Sequence, residues 1–303
     1  MISLYQLRAF LEFARLGSVA ETADALVVSQ PAVSAALAGL QRATGVKLTE
    51  RDGRRIRLTE AGKVFEVSGR RLFALLDDAK RRAHEIADMA AGRLRIAAVT
   101  TAAEHLVPNM LQTFRQQQPN VELDLDVGNH ARVWDQLRHW EIDLVVAGRP
   151  PQELPFKTLA TRAHELIVIA PADDTFASLP LGAVPWLVRE LGSGTLAVTE
   201  ECFASLNIDP PRLTIASNGA ISACVRAGLG YSLVSRDAVE RDLQRGLLNQ
   251  IPTAVTPLNR QWHMVVARDR DLPRSVERFV EFAIADYAFA ADIEDGRGQD
   301  LSS

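Results

Sequence analysis

At 303 residues, 47% of them hydrophobic, the chain is long enough for two or three domains with several buried cores. It shows no run of 18 apolar residues and no charged-then-apolar leader, which argues against a membrane span or export. Its two cysteines, Cys202 and Cys224, lack metal-ligand spacing and suit a reducing cytoplasm.

The overall charge of −4 is unevenly spread. Residues 1–82 carry 14 Lys+Arg against 9 Asp+Glu, a net of +5, and the remainder carries 20 against 29, a net of −9. A basic head on an acidic body confines phosphate contacts to the N-terminal end.

Leu7, Phe10, Leu11 and Ala14 recur at helical spacing and predict an amphipathic helix. Ser18 and Glu21 form a capping-box signature opening a second helix, whose Val19, Ala23 and Leu26 share a face. After a short turn, Ser29 caps a third helix, Pro31 sits in its first turn, and Val33, Leu37 and Leu40 point inward before Gly45 ends it. This is a helix-turn-helix pattern, whose last helix would lie in the major groove of duplex DNA. Its outward arc holds Pro31, Ser34, Ala35, Ala38 and Arg42. Gln30 and Ser34 offer hydrogen bonds to bases or phosphates, Pro31 and Ala35 offer apolar contact to thymine methyls, and the capping Ser29 is counted with them among the DNA-binding residues. Asp52-Gly53 is a hairpin turn signal, and around it Arg51, Arg54, Arg55 and Arg57 form a wing suited to phosphate or minor groove. The plain alternative is a solvated charge run.

Leu58-Thr59-Glu60-Ala61-Gly62 opens a long helix in which Leu72, Leu76, Ala79, Ala83, Ile86 and Ala90 step by four and three residues. That spacing suits a seam between two copies, the alternative being a helix packed on its own domain. From Arg93 onward strands alternate with helices: strands at 94–99, 121–127 and 142–147, and helices near 105–117 and 132–140. A second run begins at Leu166–Ala170 and continues through 186–188, 213–215 and 231–234, with a strand at 261–267 and a helix near 273–287 closing the chain. This predicts an α/β body around a largely parallel sheet.

The strings Leu7-Arg8-Ala9-Phe10, Gly17-Ser18, Ser29-Gln30-Pro31-Ala32-Val33-Ser34 and Arg57-Leu58-Thr59-Glu60-Ala61-Gly62 resemble the N-terminal domain of LysR-type transcriptional regulators. The likeness continues through Asp143-Leu144, Gly192-Ser193-Gly194-Thr195 and Val225-Arg226-Ala227-Gly228-Leu229-Gly230. The resemblance implies an all-α winged helix-turn-helix, a dimerising linker helix and an effector body of two α/β lobes like type 2 periplasmic-binding proteins. It also implies a homodimer, and a tetramer as a dimer of dimers. A small-molecule effector, promoter DNA and RNA polymerase complete the implied partners. The domain reading is 1–60 for the head, 61–91 for the linker helix and 92–303 for the body. Lobe 1 takes about 92–163 and 267–290, and lobe 2 about 164–266. The chain departs from the family pattern at Ala35 and Ala36, where Lys or Arg is frequent, and at Leu196, where Arg often follows the Gly-Ser-Gly-Thr string.

In open α/β sheets a ligand sits beyond the carboxyl ends of strands, at helix N-termini. Thr100, Thr101, Gly128, Asn129, Ser193, Gly194, Thr195 and Asn218 fall at such places, and Arg149 adds a positive charge. These small polar residues resemble the family's effector positions, and they suit a polar or anionic molecule. Each one alone is equally an N-cap or turn residue. An enzyme is the rival class, but the Gly-Ser-Gly-Thr string lacks a P-loop lysine, the six histidines lack metal spacing, and no Gly-x-Ser-x-Gly elbow occurs. A solute-binding protein would fit residues 92–290 but would have no use for 1–60. No catalytic residue, metal or fixed cofactor is expected.

Overall fold

A computed structural model describes residues 1–52, 55–88, 92–173, 176 and 178–292. Residues 1–83 form the bulk of one compact unit, and nearly all the rest forms a second.

In the first unit, α1 (Leu4–Leu16), α2 (Val19–Leu26) and α3 (Gln30–Thr44) precede a hairpin of β1 (Thr49–Asp52) and β2 (Arg55–Leu58). The complete capping box falls at Ser3 and Gln6, each side chain bonding the other's backbone N–H. At the expected box, the Ser18 hydroxyl accepts from the Glu21 N–H at 3.4 Å. Gly17 (φ 69°) and Gly45 (φ 73°) end α1 and α3 in the left-handed conformation that glycine adopts without steric cost. The core joins Phe10, Phe13, Ala23, Val33, Leu37, Leu40 and Leu48, and α1 buries Leu7, Ala9, Phe10 and Phe13 while Leu11 and Ala14 of the expected stripe are half-buried. Helices α2 and α3 are bent by 105° about the turn, within the range of a helix-turn-helix.

The helix α4 (Glu60–Asp88) starts on a knot of backbone contacts. Thr59 donates its N–H to Leu48 O (3.0 Å) and its hydroxyl to Lys47 O (2.8 Å), while its oxygen accepts from the Gly62 N–H (3.0 Å). A side chain at Gly62 would put its Cβ 2.0 Å from Leu48 O, so the first turn of α4 can approach that carbonyl only with glycine there.

The second unit contains β3 (Arg93–Val99), α5 (Thr100–His105), α6 (Val107–Gln117), β4 (Glu122–Gly128), α7 (His130–Arg138), β5 (Leu144–Ala147) and the long β6 (Phe156–Pro171). These are followed by β7 (Trp186–Val188), α8 (Gly194–Leu206), β8 (Arg212–Thr214), α9 (Asn218–Arg226), β9 (Ser232–Ser235) and α10 (Arg236–Gln244). The chain closes with β10 (Leu248–Ile251), β11 (Leu258–Ala267), α11 (Arg274–Asp286) and β12 (Ala290–Ala291). The main sheet runs β10-β6-β11-β5-β3-β4, with β9 and β12 also on β6.

This sheet is mixed, which corrects the expectation of a largely parallel one. Only β3–β4 and β3–β5 are parallel, whereas β6 and β11 pair antiparallel with each other and with their other neighbours. The sequence hides this because the first half of β6 is half-buried and polar (Lys157, Thr158, Thr161, Arg162, His164, Glu165), so only its apolar end looks like a strand. The helix expected at 105–117 is two helices, α5 and α6, which meet at Leu106.

Strands β6 and β11 carry the chain between two lobes with separate cores. Lobe 1 buries Ile96, Ala98, Met110, Phe114, Leu144, Ala160 and Phe279, and lobe 2 packs two clusters, around Trp186 and around Ile167. Trp262, Met264 and Val266 belong to the lobe 1 core, so lobe 1 regains β11 several residues before the expected boundary at 267. Asp143, at the foot of β5, is buried and paired with Arg95 (2.8 Å) and Arg270 (2.9 Å), which ties three segments of lobe 1 together. Burial pushes its carboxyl pKa up, but the Arg95 hydrogen bond and both guanidinium charges outweigh that and lower it. Among the described residues no single helix is long and apolar enough to cross a membrane.

Candidate functional site

Two sets of residues stand out, one in each unit. In the head, packing of Val33, Ala36, Leu37 and Leu40 inward turns Ser29, Gln30, Pro31, Ser34, Ala35 and Arg42 outward, all exposed, with Ala38 half-buried. The Ser29 hydroxyl accepts from the Ala32 N–H (3.4 Å), so part of its bonding capacity is used as a cap. Between α2 and α3, Val27 is 90% exposed and left-handed (φ 56°), a strained state for a β-branched residue. Sequence periodicity gives no sign of this.

The hairpin is present, but its register pairs Asp52 with Arg55 and Arg51 with Ile56, whereas a two-residue Asp52-Gly53 turn would pair Arg51 with Arg54. Gly53 and Arg54 lie outside the described residues, as does the side chain of Arg55. Arg51 is exposed, and Arg57 is exposed but engaged by Glu50 (2.9 Å) with Asp52 at 3.9 Å. Such an exposed pair is weak, on the order of 0–1 kcal/mol. On α4, Leu72, Leu75 and Leu76 are exposed large apolar residues, and Ala79 and Ala83 are exposed with them. The side chain of Ile86, and Ala90 altogether, lie outside the described residues.

The body holds a cavity of about 1000 Å³ lined from both lobes. Seven expected residues reach it: Thr100, Thr101, Asn129 and Arg149 from lobe 1, and Ser193, Gly194 and Thr195 from lobe 2. Strand ends explain the convergence, since β3 delivers Thr100 and Thr101, β5 leads to Arg149, and Ser193 precedes α8. Two expected residues are not in the lining. Gly128 ends β4, where an added Cβ would meet the Arg132 side chain, and Asn218 is buried behind Thr101, which it touches. Gly192 (φ 87°) faces Asn129, and a Cβ there would lie 3.2 Å from the Asn129 amide nitrogen.

Other lining residues escape motif reasoning because they come from strand interiors or, for Arg189, from the residue just after a short strand. Arg189 follows β7 and is buried, and His164, Arg260, Trp262 and His263 lie on the two crossing strands. The His164 ring stacks on Trp262 (centroids 4.0 Å apart, planes 11° apart). Burial, aided by Arg260, Arg162 and His263 and opposed by Asp237, lowers the His164 pKa to about 4. Burial also lowers His263, with Arg149 adding to the effect and Asp292 opposing it, and it is the main cause of the lowered pKa of His130. Trp134 Nε1 donates to His130 Nε2 at 2.9 Å, which fits an imidazole without a proton on that nitrogen.

Five buried polar atoms around the cavity have no hydrogen-bond partner in the chain: His164 Nδ1, Ser235 Oγ, Arg260 Nε, Trp262 Nε1 and His263 Nδ1. Arg260 is paired through its other end with Glu201 (3.0 Å), whereas Arg149 has no carboxylate within ion-pair distance among the described residues. The cavity therefore has positive character, and two of its unpartnered groups, Trp262 Nε1 and Arg260 Nε, can only donate.

A helix-turn-helix head joined to a two-lobed body with a polar cavity defines a DNA-binding protein responsive to a small molecule. Residues 4–63 match the family model described as "Bacterial regulatory helix-turn-helix protein, lysR family", and residues 87–288 match "LysR substrate binding domain". The chain belongs to the LysR family of transcriptional regulators, as a DNA-binding regulator with an effector-binding domain. It is 31% identical over 304 residues to the HTH-type transcriptional activator CmpR of Synechocystis sp. (strain PCC 6803), covering 96% of each chain. The CcmR regulatory domain of Synechocystis PCC6803, solved in complex with 2-PG, is 27% identical, with a TM-score of 0.58 over 64% of this chain and 96% of that one. Full-length CbnR, solved with its target DNA, is 22% identical, with a TM-score of 0.65 over 93% of this chain and 99% of that one, and shares the fold.

Proposed function

We propose that the cavity takes a small organic anion as effector and that its occupancy changes how paired heads engage and bend promoter DNA. The observation that carries this reading is the convergence of Thr100, Thr101, Asn129, Ser193 and Thr195 from two lobes on one cavity that also holds Arg149. Helix-start and hydroxyl groups of this kind bind anions. The 2-PG complex of the related CcmR domain supports the same class of ligand. A volume of about 1000 Å³ suits a ligand with a body as well as a charged group.

At the head, α3 would enter the major groove with Gln30, Pro31, Ser34 and Ala35 toward bases and Ser29 toward phosphate. Arg51, Arg54, Arg55 and Arg57 would supply backbone contacts, which carry affinity in place of the charge missing at Ala35 and Ala36. The exposed leucines of α4 would pair two copies, with a tetramer and contact with RNA polymerase completing the assembly at a cytoplasmic promoter. The reading assigns the chain no catalytic step. The domain reading takes 1–60 as the DNA-binding head, 61–91 as the pairing helix and the remainder as effector body.

Ligand closure acts only through a difference in affinity between two arrangements, on the order of 1–3 kcal/mol. The test titrates the full chain with 2-PG, inorganic phosphate and glycerol by calorimetry and thermal melting, followed by DNase footprinting with and without the binding anion. Anions should raise the melting temperature and alter the footprint, and glycerol should do neither. Absence of any anion effect, or binding that leaves the footprint untouched, overturns the reading.

A further inference from the structure

Arg189, Asn218 and Thr101 form one hydrogen-bonded line that meets the cavity at both ends, with Asn218 set back behind the lining, and its polarity is fixed from one end. The Arg189 side chain is 5% exposed. Its Nε and one terminal nitrogen donate to the two carboxylate oxygens of Glu190 (2.8 and 3.0 Å), and the other terminal nitrogen donates to Asn218 Oδ1 (2.5 Å). Asn218 starts α9, capped by Ser217, and its Nδ2 donates to Thr101 Oγ1 at 2.8 Å. Thr101 belongs to the other lobe.

A guanidinium has only donors, so the Asn218 atom facing Arg189 must be its oxygen. The amide orientation, usually a free choice in a structure, is set here. The NH2 end then faces Thr101, whose oxygen must accept. The single hydroxyl proton of Thr101 is left for an acceptor elsewhere, and Thr101 lines the cavity.

We infer that Arg189, acting through Asn218, holds Thr101 as a hydrogen-bond donor toward the ligand. At that point the cavity then selects an acceptor-only group, a carboxylate or phosphate, over an amine. Because the line joins the two lobes, Thr101 is held as a donor only while they are in contact. Arg189 and Asn218 are positioning residues here: the guanidinium is already engaged by Glu190, and Asn218 does not line the cavity. The inference rests on the reading of the cavity as the effector site.

The test is a double-mutant cycle in the full chain, with 2-PG and inorganic phosphate as probes. Asn218→Asp still accepts from Arg189 but has no donor for Thr101, whose proton must then turn toward the new carboxylate. Affinity for the probe should fall at least tenfold. In a Thr101→Val background the same substitution should change affinity less than threefold, because the hydroxyl is already gone. An equal loss in both backgrounds would mean plain charge repulsion and would overturn the relay. Hydrogen exchange of the ligand-free chain gives an independent readout. Asn218→Ala should speed exchange at residues 100–103 and 218–221, and unchanged rates overturn the relay whatever the probes do. Failure of every anion to bind the parent chain, with exchange still faster in Asn218→Ala, would remove the effector reading while leaving the cross-lobe contact standing.

Discussion

His164 shows how burial in the effector cavity becomes a property of the whole fold. In the unfolded chain a histidine titrates near 6.5, and in the fold this one titrates at about 4. Below pH 6.5 the unfolded state takes up a proton that the folded state refuses. The contribution is therefore complete above about 6.5 and is lost as the pH falls toward 4, by up to about 1.4 kcal/mol per pH unit. His164→Phe keeps a ring on Trp262 and removes the titration, so denaturant melts from pH 7 to 4 should give a shallower pH slope. An unchanged slope would mean that His164 is solvated in the native state. Thr100, Thr101 and the Ser193–Thr195 string were legible because they sit at strand ends and helix starts. His164, Arg260 and Trp262 were not, because a polar residue inside a strand reads as a solvent-facing position until the partner lobe is known to lie over it, and Arg189 follows a strand of only three residues.

At the scale of elements, α4 is a helix where the four- and three-residue spacing put one, and its pairing role belongs to the proposal. The residues proposed as its seam, Leu72, Leu76, Ala79 and Ala83, are exposed in the single chain with Leu75 beside them. Full burial of a leucine supplies roughly 1.5–3 kcal/mol, and Leu72, Leu75 and Leu76, still 42%, 52% and 37% exposed, leave part of that unused. Replacing Leu72→Glu together with Leu76→Glu should leave the head folded, because neither side chain contributes to its core. Sedimentation should then report monomers, and operator affinity should fall at least tenfold, because two linked heads bind far more tightly than one. A dimer that persists would move the pairing surface elsewhere. The start of α4 was recognisable as a motif, although the reason for Gly62, the close Leu48 carbonyl, exists only once the hairpin is folded back. Strand β6 was half missed, because its polar first half gains its ladder partners from β11, about a hundred residues later in the chain.

For the whole molecule, the order of the chain differs from the order of its cores. Lobe 2 is inserted within lobe 1, and α11, near the end of the described chain, supplies Val276, Phe279, Val280, Phe282 and Ala283 to the core built on β3 and β5. Phe279 and Phe282 lie against Phe114 with ring centroids 5.1 and 5.4 Å apart. A chain stopped at Leu272 should thus keep its head but lose lobe 1. Limited proteolysis should leave a resistant fragment near residues 1–83 and digest the body, whereas a resistant body would show that α11 is dispensable.

The same interleaving sets a sequence of events on the ribosome. The head is complete early in translation, whereas the first lobe must wait for the final helix before its core can close. A nascent or prematurely ended polypeptide would therefore carry a folded head before it has the cavity that senses a small molecule. Any cell making this regulator must tolerate, or destroy, a population that has a head without a sensor.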